Sequence, residues 1–177
     1  MDSMDIILNV SGIADDSIVD GPGMRYTIFV QGCPHHCPGC HNPQTHSYKG
    51  GKQMTLKKLL TEIKSNPLLY GVTFSGGEPF EQAKALAVLG REVRKLGLHL
   101  MAYSGYTYEE LEEKRKTEPE VGELLDEVQL LVDGRYEQDL RDLTLLYRGS
   151  ENQRLVDLDA MRNAGDLQTV VLWQEDI

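Results

Sequence analysis

The sequence predicts an α/β fold, a parallel sheet built from right-handed strand–helix–strand crossovers. Short apolar, β-branched runs alternate with segments whose leucines recur at helical spacing, which is the pattern of such crossovers. Glycine-rich or polar turns follow each run directly, so the carboxyl ends of several strands are expected to gather loops into one site. At 177 residues and 40% hydrophobic content, the chain suits a single domain, residues 1–177.

In chain order, Asp5-Ile6-Ile7-Leu8-Asn9-Val10 reads as a short strand, and Asp20-Gly21-Pro22-Gly23 as a turn. Tyr26-Thr27-Ile28-Phe29-Val30 is the next strand and opens into a loop that holds every cysteine of the chain. A polar link through Gly50-Gly51 ends at Thr55. There Leu56, Leu59, Leu60 and Ile63 make the apolar stripe of a helix, with Thr55 as its cap and Pro67 beyond its end. Gly71-Val72-Thr73-Phe74-Ser75 is a strand that runs into Gly76-Gly77-Glu78-Pro79. A long helix from near Phe80 closes at Gly97, burying Ala83, Leu86, Leu89, Val93 and Leu96.

Leu98 to Tyr103 is the following strand, ending in Ser104-Gly105-Tyr106. Thr107 and Glu110 have capping-box spacing for a charged helix through Lys116. A short helix over Val121–Asp126 leads to the strand Val128–Val132, stopped by Asp133-Gly134. The tail carries a polar loop from Tyr147 to Arg154, a short helix near Leu158–Ala164 and a strand Thr169–Trp173. No internal repeat, low-complexity tract or linker interrupts this order.

Twenty-eight acidic residues against 18 basic give a net charge of −10, and no basic stripe interrupts it, which argues against a nucleic acid ligand. No apolar run is long enough to span a bilayer, and the N-terminal Met1-Asp2-Ser3-Met4-Asp5 lacks the basic start of a secretory signal. A cytoplasmic protein without membrane contact is expected, with a small molecule or another protein as partner.

Cys33, Cys37 and Cys40 are spaced C-x3-C-x2-C within Gly32-Cys33-Pro34-His35-His36-Cys37-Pro38-Gly39-Cys40-His41-Asn42-Pro43. An odd number of thiols so close together makes a poor disulfide framework and a good soft-metal site. A Cys3His zinc site is open to this loop, given His35, His36, His41 and His46 nearby, but zinc ligands usually come as two separated pairs. An iron–sulfur cube suits the spacing better: three thiols take three irons, and the absence of a fourth cysteine leaves one iron for a ligand.

The C-x3-C-x2-C loop resembles the hallmark of the radical S-adenosylmethionine superfamily, and Gly76-Gly77-Glu78-Pro79 after a strand resembles its second motif. Within it the chain is similar to the activases of glycyl radical enzymes, above all those of anaerobic ribonucleoside-triphosphate reductase. The stretches that carry this are Asp20-Gly21-Pro22-Gly23-Met24-Arg25, Gly32 to Asn42, Tyr103-Ser104-Gly105-Tyr106-Thr107, Val132-Asp133-Gly134-Arg135-Tyr136 and Arg148-Gly149-Ser150-Glu151-Asn152-Gln153.

The resemblance implies a partial, open (β/α)6-type barrel. It implies a [4Fe-4S] cluster on Cys33, Cys37 and Cys40, with S-adenosylmethionine chelated to the fourth iron and contacted by Gly39, Cys40, His41, Gly76, Gly77 and Glu78. Reductive cleavage to methionine and a 5′-deoxyadenosyl radical would oxidise one glycine of the reductase's large catalytic subunit, with flavodoxin as the expected electron donor. No side chain is implied as a catalytic acid or base, because the cofactors carry the chemistry. Many superfamily members place an aromatic residue where Gly39 stands, so adenine is expected to be held otherwise, with His41 or backbone as candidates. His35, His36 and His46 read as exposed loop residues. Arg148, Asn152 and Gln153 are open between loop anchors and contacts to a ligand or partner. The rival readings are activation of another glycyl radical enzyme such as pyruvate formate-lyase, a small radical enzyme of deazaguanine formation, and a zinc-stabilised binding module.

Overall fold

A computed structural model describes residues 2–175; residues 1, 176 and 177, the ends of the expected single domain, lie outside the described residues. Seven strands form one open sheet: β1 (Ile7–Ser17), β2 (Arg25–Val30), β3 (Lys52–Thr55), β4 (Gly71–Gly76), β5 (His99–Tyr103), β6 (Leu130–Asp133) and β7 (Arg154–Asp157), in the order β3-β1-β2-β4-β5-β6-β7. The helices are α1 (Leu56–Lys64), α2 (Ala83–Lys95), α3 (Tyr108–Lys114), α4 (Pro119–Glu127) and α5 (Leu158–Ala164).

The middle of the sheet is the expected parallel α/β unit: β2, β4, β5 and β6 run parallel, joined by helical crossovers. The flanks correct the expectation of a purely parallel sheet. β1 pairs antiparallel with β2 and with β3, and β7 pairs antiparallel with β6. The polar link before Thr55 supplies β3, an edge strand whose Lys52 and Gln53 are exposed and which therefore lacks an apolar signature. β1 runs to Ser17, well past Val10, through register shifts that interrupt its alternation.

Period-two alternation along the parallel strands assigns their faces. Tyr26, Ile28, Val30, Val72, Phe74, Leu100, Ala102 and Leu131 join the helices in the main core. Met101, Leu130 and Val132 form a second cluster on the opposite face with Tyr103, Tyr147, Leu155 and Trp173. The caps are as the sequence indicates: Thr55 Oγ1 accepts from the Lys58 amide, and Thr107 and Glu110 complete a capping box.

Several expected boundaries move. Pro79–Gln82 forms a separate 3-10 turn, so α2 starts at Ala83. Val128 ends α4, and β6 begins at Leu130. The expected strand 169–173 is reduced to one isolated bridge, Val156 with Leu172. Arg154, read as loop, begins β7, where its guanidinium meets the buried Asp133 carboxylate at 2.5 Å.

Arg25, the first residue of β2, is completely buried on the inner face. Among the described residues it has no carboxylate partner and instead donates to Thr73 Oγ1 at 2.6 Å, to the carbonyls of Pro22, Val72 and His99, and to His99 Nδ1 at 3.0 Å. Burial lowers its pKa to about 10. The Asp20–Arg25 turn is thereby fastened under the sheet, with Thr73 Oγ1 also donating to the Asp20 carbonyl at 2.8 Å.

Candidate functional site

The carboxyl ends of the parallel strands open onto one cleft of about 660 Å3. Cys33, Cys37 and Cys40 line it from the loop after β2, Ser75 to Gly77 from the end of β4, Ser104 and Gly105 after β5, and Gly134 after β6. The loops expected to converge do so. A second cleft of about 720 Å3 lies away from the cysteines, between β1, β3 and α1.

The cysteine loop is closed at its base by hydrogen bonds that need no metal. Gly32 and Cys33 amides donate to the carbonyls of Thr45 and His46, at 2.6 and 3.1 Å, and Gln31 Nε2 donates to those of Gln44 and Ser47. Peptide amides face the sulfurs: those of His35 and His36 at Cys33, that of Tyr136 at Cys37, and that of Asn42 at 3.5 Å from Cys40 Sγ. Burial pushes the Cys33 thiol up to about 11 and also raises Cys37, partly countered by these amides. Among the described residues, no three His, Cys, Asp or Glu side chains converge on a single point as ligands of one ion would.

The glycines after β4 serve a close approach between two chain segments. A Cβ on Gly77 would stand 2.3 Å from the Gly32 carbonyl oxygen, and one on Gly76, where φ is +94°, 2.4 Å from the Val30 nitrogen. Gly77 and Glu78 amides donate to the carbonyls of Val30 and Gly32, both at 2.8 Å. The turn thus grips the start of the cysteine loop while Gly76 and Gly77 still face the cleft.

Glu78 is placed otherwise than a ligand contact. It is completely buried and outside the cleft lining, and its carboxylate accepts from His35 Nε2 (2.7 Å), Ser104 Oγ (3.0 Å), and the amides of Gly105 (2.8 Å) and Phe80 (3.1 Å). His35 departs from the expected exposed loop residue: its side chain is 5% exposed, because it reaches inward to Glu78. His36 is exposed and stacks edge-on against His46.

Of the remaining expected residues, His41 lines the cleft with its ring 5.0 Å from that of Tyr136. Gly39 stands beside the cleft with φ +73°, and a Cβ there would lie 2.8 Å from the Gln138 side chain. A side chain at position 39 would be strained by that positive φ and would have to displace the exposed Gln138 side chain. Tyr103, Tyr136 and Tyr147 line the cleft and were missed by sequence reasoning. The signal for Tyr103 was its place as the last residue of β5 in the inward register; Tyr136 and Tyr147 lie in loops, where no periodicity points to them.

Within the stretch Arg148–Gln153, Gln153 both anchors its loop and lines the cleft. Gln153 Oε1 accepts from the amides of Gly149 (2.9 Å) and Ser150 (3.2 Å), and its Nε2 donates to the Gly134 carbonyl (3.0 Å). Asn152 Nδ2 donates to the Arg135 carbonyl at 2.7 Å. These two residues are anchors of the loop between β6 and β7. Arg148 lines the cleft as well, and among the described residues its Nε is buried without a partner.

A protein family described as a 4Fe-4S single cluster domain matches residues 19–156. The anaerobic ribonucleoside-triphosphate reductase-activating protein of Salmonella typhimurium is 33% identical over 145 residues, 77% of this chain and 90% of that protein. Its namesake from Enterobacteria phage T4 is 32% identical over 155 residues, 84% of this chain and 93% of that protein. This chain belongs to the anaerobic ribonucleoside-triphosphate reductase-activating protein family. The crystal structure of QueE from Escherichia coli overlays with a TM-score of 0.45 at 18% identity, over 57% of this chain and 53% of that one, a likeness too slight to bear on function. In this activating-protein family member, every segment that lines the cleft falls within the matched residues 19–156. No helix of the described residues is long and apolar enough to cross a membrane.

Proposed function

We propose that this protein activates anaerobic ribonucleoside-triphosphate reductase by generating a glycyl radical on its large catalytic subunit. In this reading Cys33, Cys37 and Cys40 would hold three irons of a [4Fe-4S] cluster, leaving the fourth for S-adenosylmethionine. The observation that carries it is the placement of three thiols of one loop, each faced by peptide amides, in a single cleft beside Gly76 and Gly77. Three thiols of one loop suit three irons of a cube, and amide donors stabilise thiolate charge.

When bound, the two groups would supply the reductive cleavage of S-adenosylmethionine to methionine and 5′-deoxyadenosine, the latter receiving the α-hydrogen of one glycine. The chain's own residues hold, orient and shield. Gly76 and Gly77 present backbone at the cleft wall with no side chain in the way, a surface suited to the methionyl ammonium. His41, beside Gly39 and Cys40, offers an aromatic edge for adenine. Glu78 acts one step back, setting the cysteine loop through His35. The open flank of a sheet that does not close into a barrel suits a macromolecular substrate. One radical S-adenosylmethionine domain, a reducing cytoplasm and a flavodoxin donor complete the reading.

The test is anaerobic reconstitution with iron and sulfide, reduction, and incubation with S-adenosylmethionine and the reductase. A glycyl radical doublet by electron paramagnetic resonance, with 5′-deoxyadenosine formed, is expected. Cys37→Ala should abolish both. Zinc without iron or sulfide in the purified protein, or cofactor cleavage that leaves the reductase without a radical, would overturn the assignment.

A further inference from the structure

Two apolar tips stand at the edge of the cleft. Ile18 and Val19, between β1 and β2, are 71% and 73% exposed, and Leu143, between β6 and β7, is 76% exposed. Val19 and Leu143 both border the cleft, as do Leu145 and Tyr147. The run Leu143-Thr144-Leu145-Leu146-Tyr147 carries no charge in a chain of net charge −10. Large aliphatic side chains left in water at the mouth of a site mark a surface that is covered in use.

The bases beneath these tips are ordered. Below Ile18 and Val19, Ser17 Oγ donates to Asp20 Oδ2 at 2.5 Å, and Thr73 holds the Asp20 carbonyl. Below Leu143, the Asp142 amide donates to the Gly149 carbonyl at 3.2 Å, the Glu151 amide to that of Leu140 at 2.9 Å, and Arg141 bridges to Ser150. Apolar tips on hydrogen-bonded supports lose little freedom when a partner covers them.

A glycine has no side chain by which to be recognised, so the residues flanking it must supply the grip. Resting on the function proposed above, we infer that Ile18, Val19 and Leu143 form a docking collar for the segment of the reductase's large subunit that carries the target glycine, seating apolar residues beside that glycine.

The test is the affinity for the intact reductase, measured by calorimetry under anaerobic conditions without added S-adenosylmethionine. The triple variant Ile18→Ser/Val19→Ser/Leu143→Ser should bind about tenfold or more weakly, and single Ile18→Ser measurably so. Leu68→Ser, at an equally exposed leucine (73%) remote from the cleft, should bind as wild type. A reductase lacking its glycine-bearing segment should bind weakly and no longer distinguish the triple variant. Unchanged affinity of a folded triple variant, equal loss with Leu68→Ser, or rim-sensitive binding by the truncated reductase would overturn the collar. Collar-dependent binding without any glycyl radical would leave the collar standing and remove the proposed function.

Discussion

His35 Nε2 lies 2.7 Å from Glu78 Oε1, with 5% of the His35 side chain and none of Glu78 exposed. The same carboxylate holds Ser104 and the Gly105 amide, so one buried group joins the loops that follow β2, β4 and β5. The distances among the three loops around the cleft are set there. Ring packing reinforces the joint: His35 meets Tyr106 edge-on at 4.6 Å, and a Cβ on Gly105 would fall 2.3 Å from the His35 ring.

Glu78→Ala should therefore damage the cleft without touching a cysteine. Four donors, from His35, Ser104, Gly105 and Phe80, would lose their acceptor inside the protein, at a cost of about 3–5 kcal/mol. The expected outcome is a melting temperature lower by many degrees and fewer irons retained after desalting. A variant that melts as wild type and keeps its iron would show that the joint is not structural.

Gly77→Ala and Gly12→Ala make a contrast at two glycines. At Gly77 the added methyl meets the Gly32 carbonyl at 2.3 Å, and neither backbone segment can retreat without breaking the Val30 and Gly32 hydrogen bonds. A loss of about 2–3 kcal/mol and poor iron loading are expected. Nothing lies within 4 Å of a Cβ at Gly12, so alanine there should be neutral or stabilise by about 0.5 kcal/mol. Urea denaturation of the two variants side by side reads both values.

These contrasts explain how much the sequence disclosed. The parallel core was legible because Val72, Phe74, Leu100 and Leu131 are buried in register against helices, which writes an apolar run into the chain. The cleft was legible at Cys33, Cys37 and Cys40 because no other residues share their chemistry. β3 and β7 were not: each has four residues at a sheet edge, and β3 has an exposed polar face, so neither carries a run long enough to read. His35, expected as an exposed loop residue, was misread for a related reason. A buried polar pair looks like surface in the sequence, since its burial depends on a partner 43 residues away.

Gln153→Ala tests whether the late loop is anchored or ligand-bearing. Its amide holds Gly149, Ser150 and Gly134 at once, and it does so from one side chain. Removing it should loosen the loop between β6 and β7, raising amide hydrogen exchange around Tyr136 and Tyr147, with a stability loss of about 1–2 kcal/mol. Unchanged exchange there, with activity lost, would place Gln153 against a ligand.

Acid stability should turn on His99. Its Nδ1 faces Arg25 Nη2 at 3.0 Å and its ring stacks on Tyr70 at 5.4 Å, so the neutral imidazole acts as acceptor for a buried cation. Burial first, then the Arg25 charge, lowers its pKa from 6.5 to about 4, with Asp159 opposing weakly. The unfolded chain thus takes up a proton between those values while the folded chain does not, and stability rises with pH across that window. The stabilisation is complete above about pH 6.5 and is lost as pH falls towards 4. After discounting for partial exposure, about 2 kcal/mol is at stake. Denaturation midpoints at pH 7, 6, 5 and 4.5 should fall more steeply for wild type than for His99→Gln, which has no proton to gain there; parallel curves would show that another group governs the acid limb.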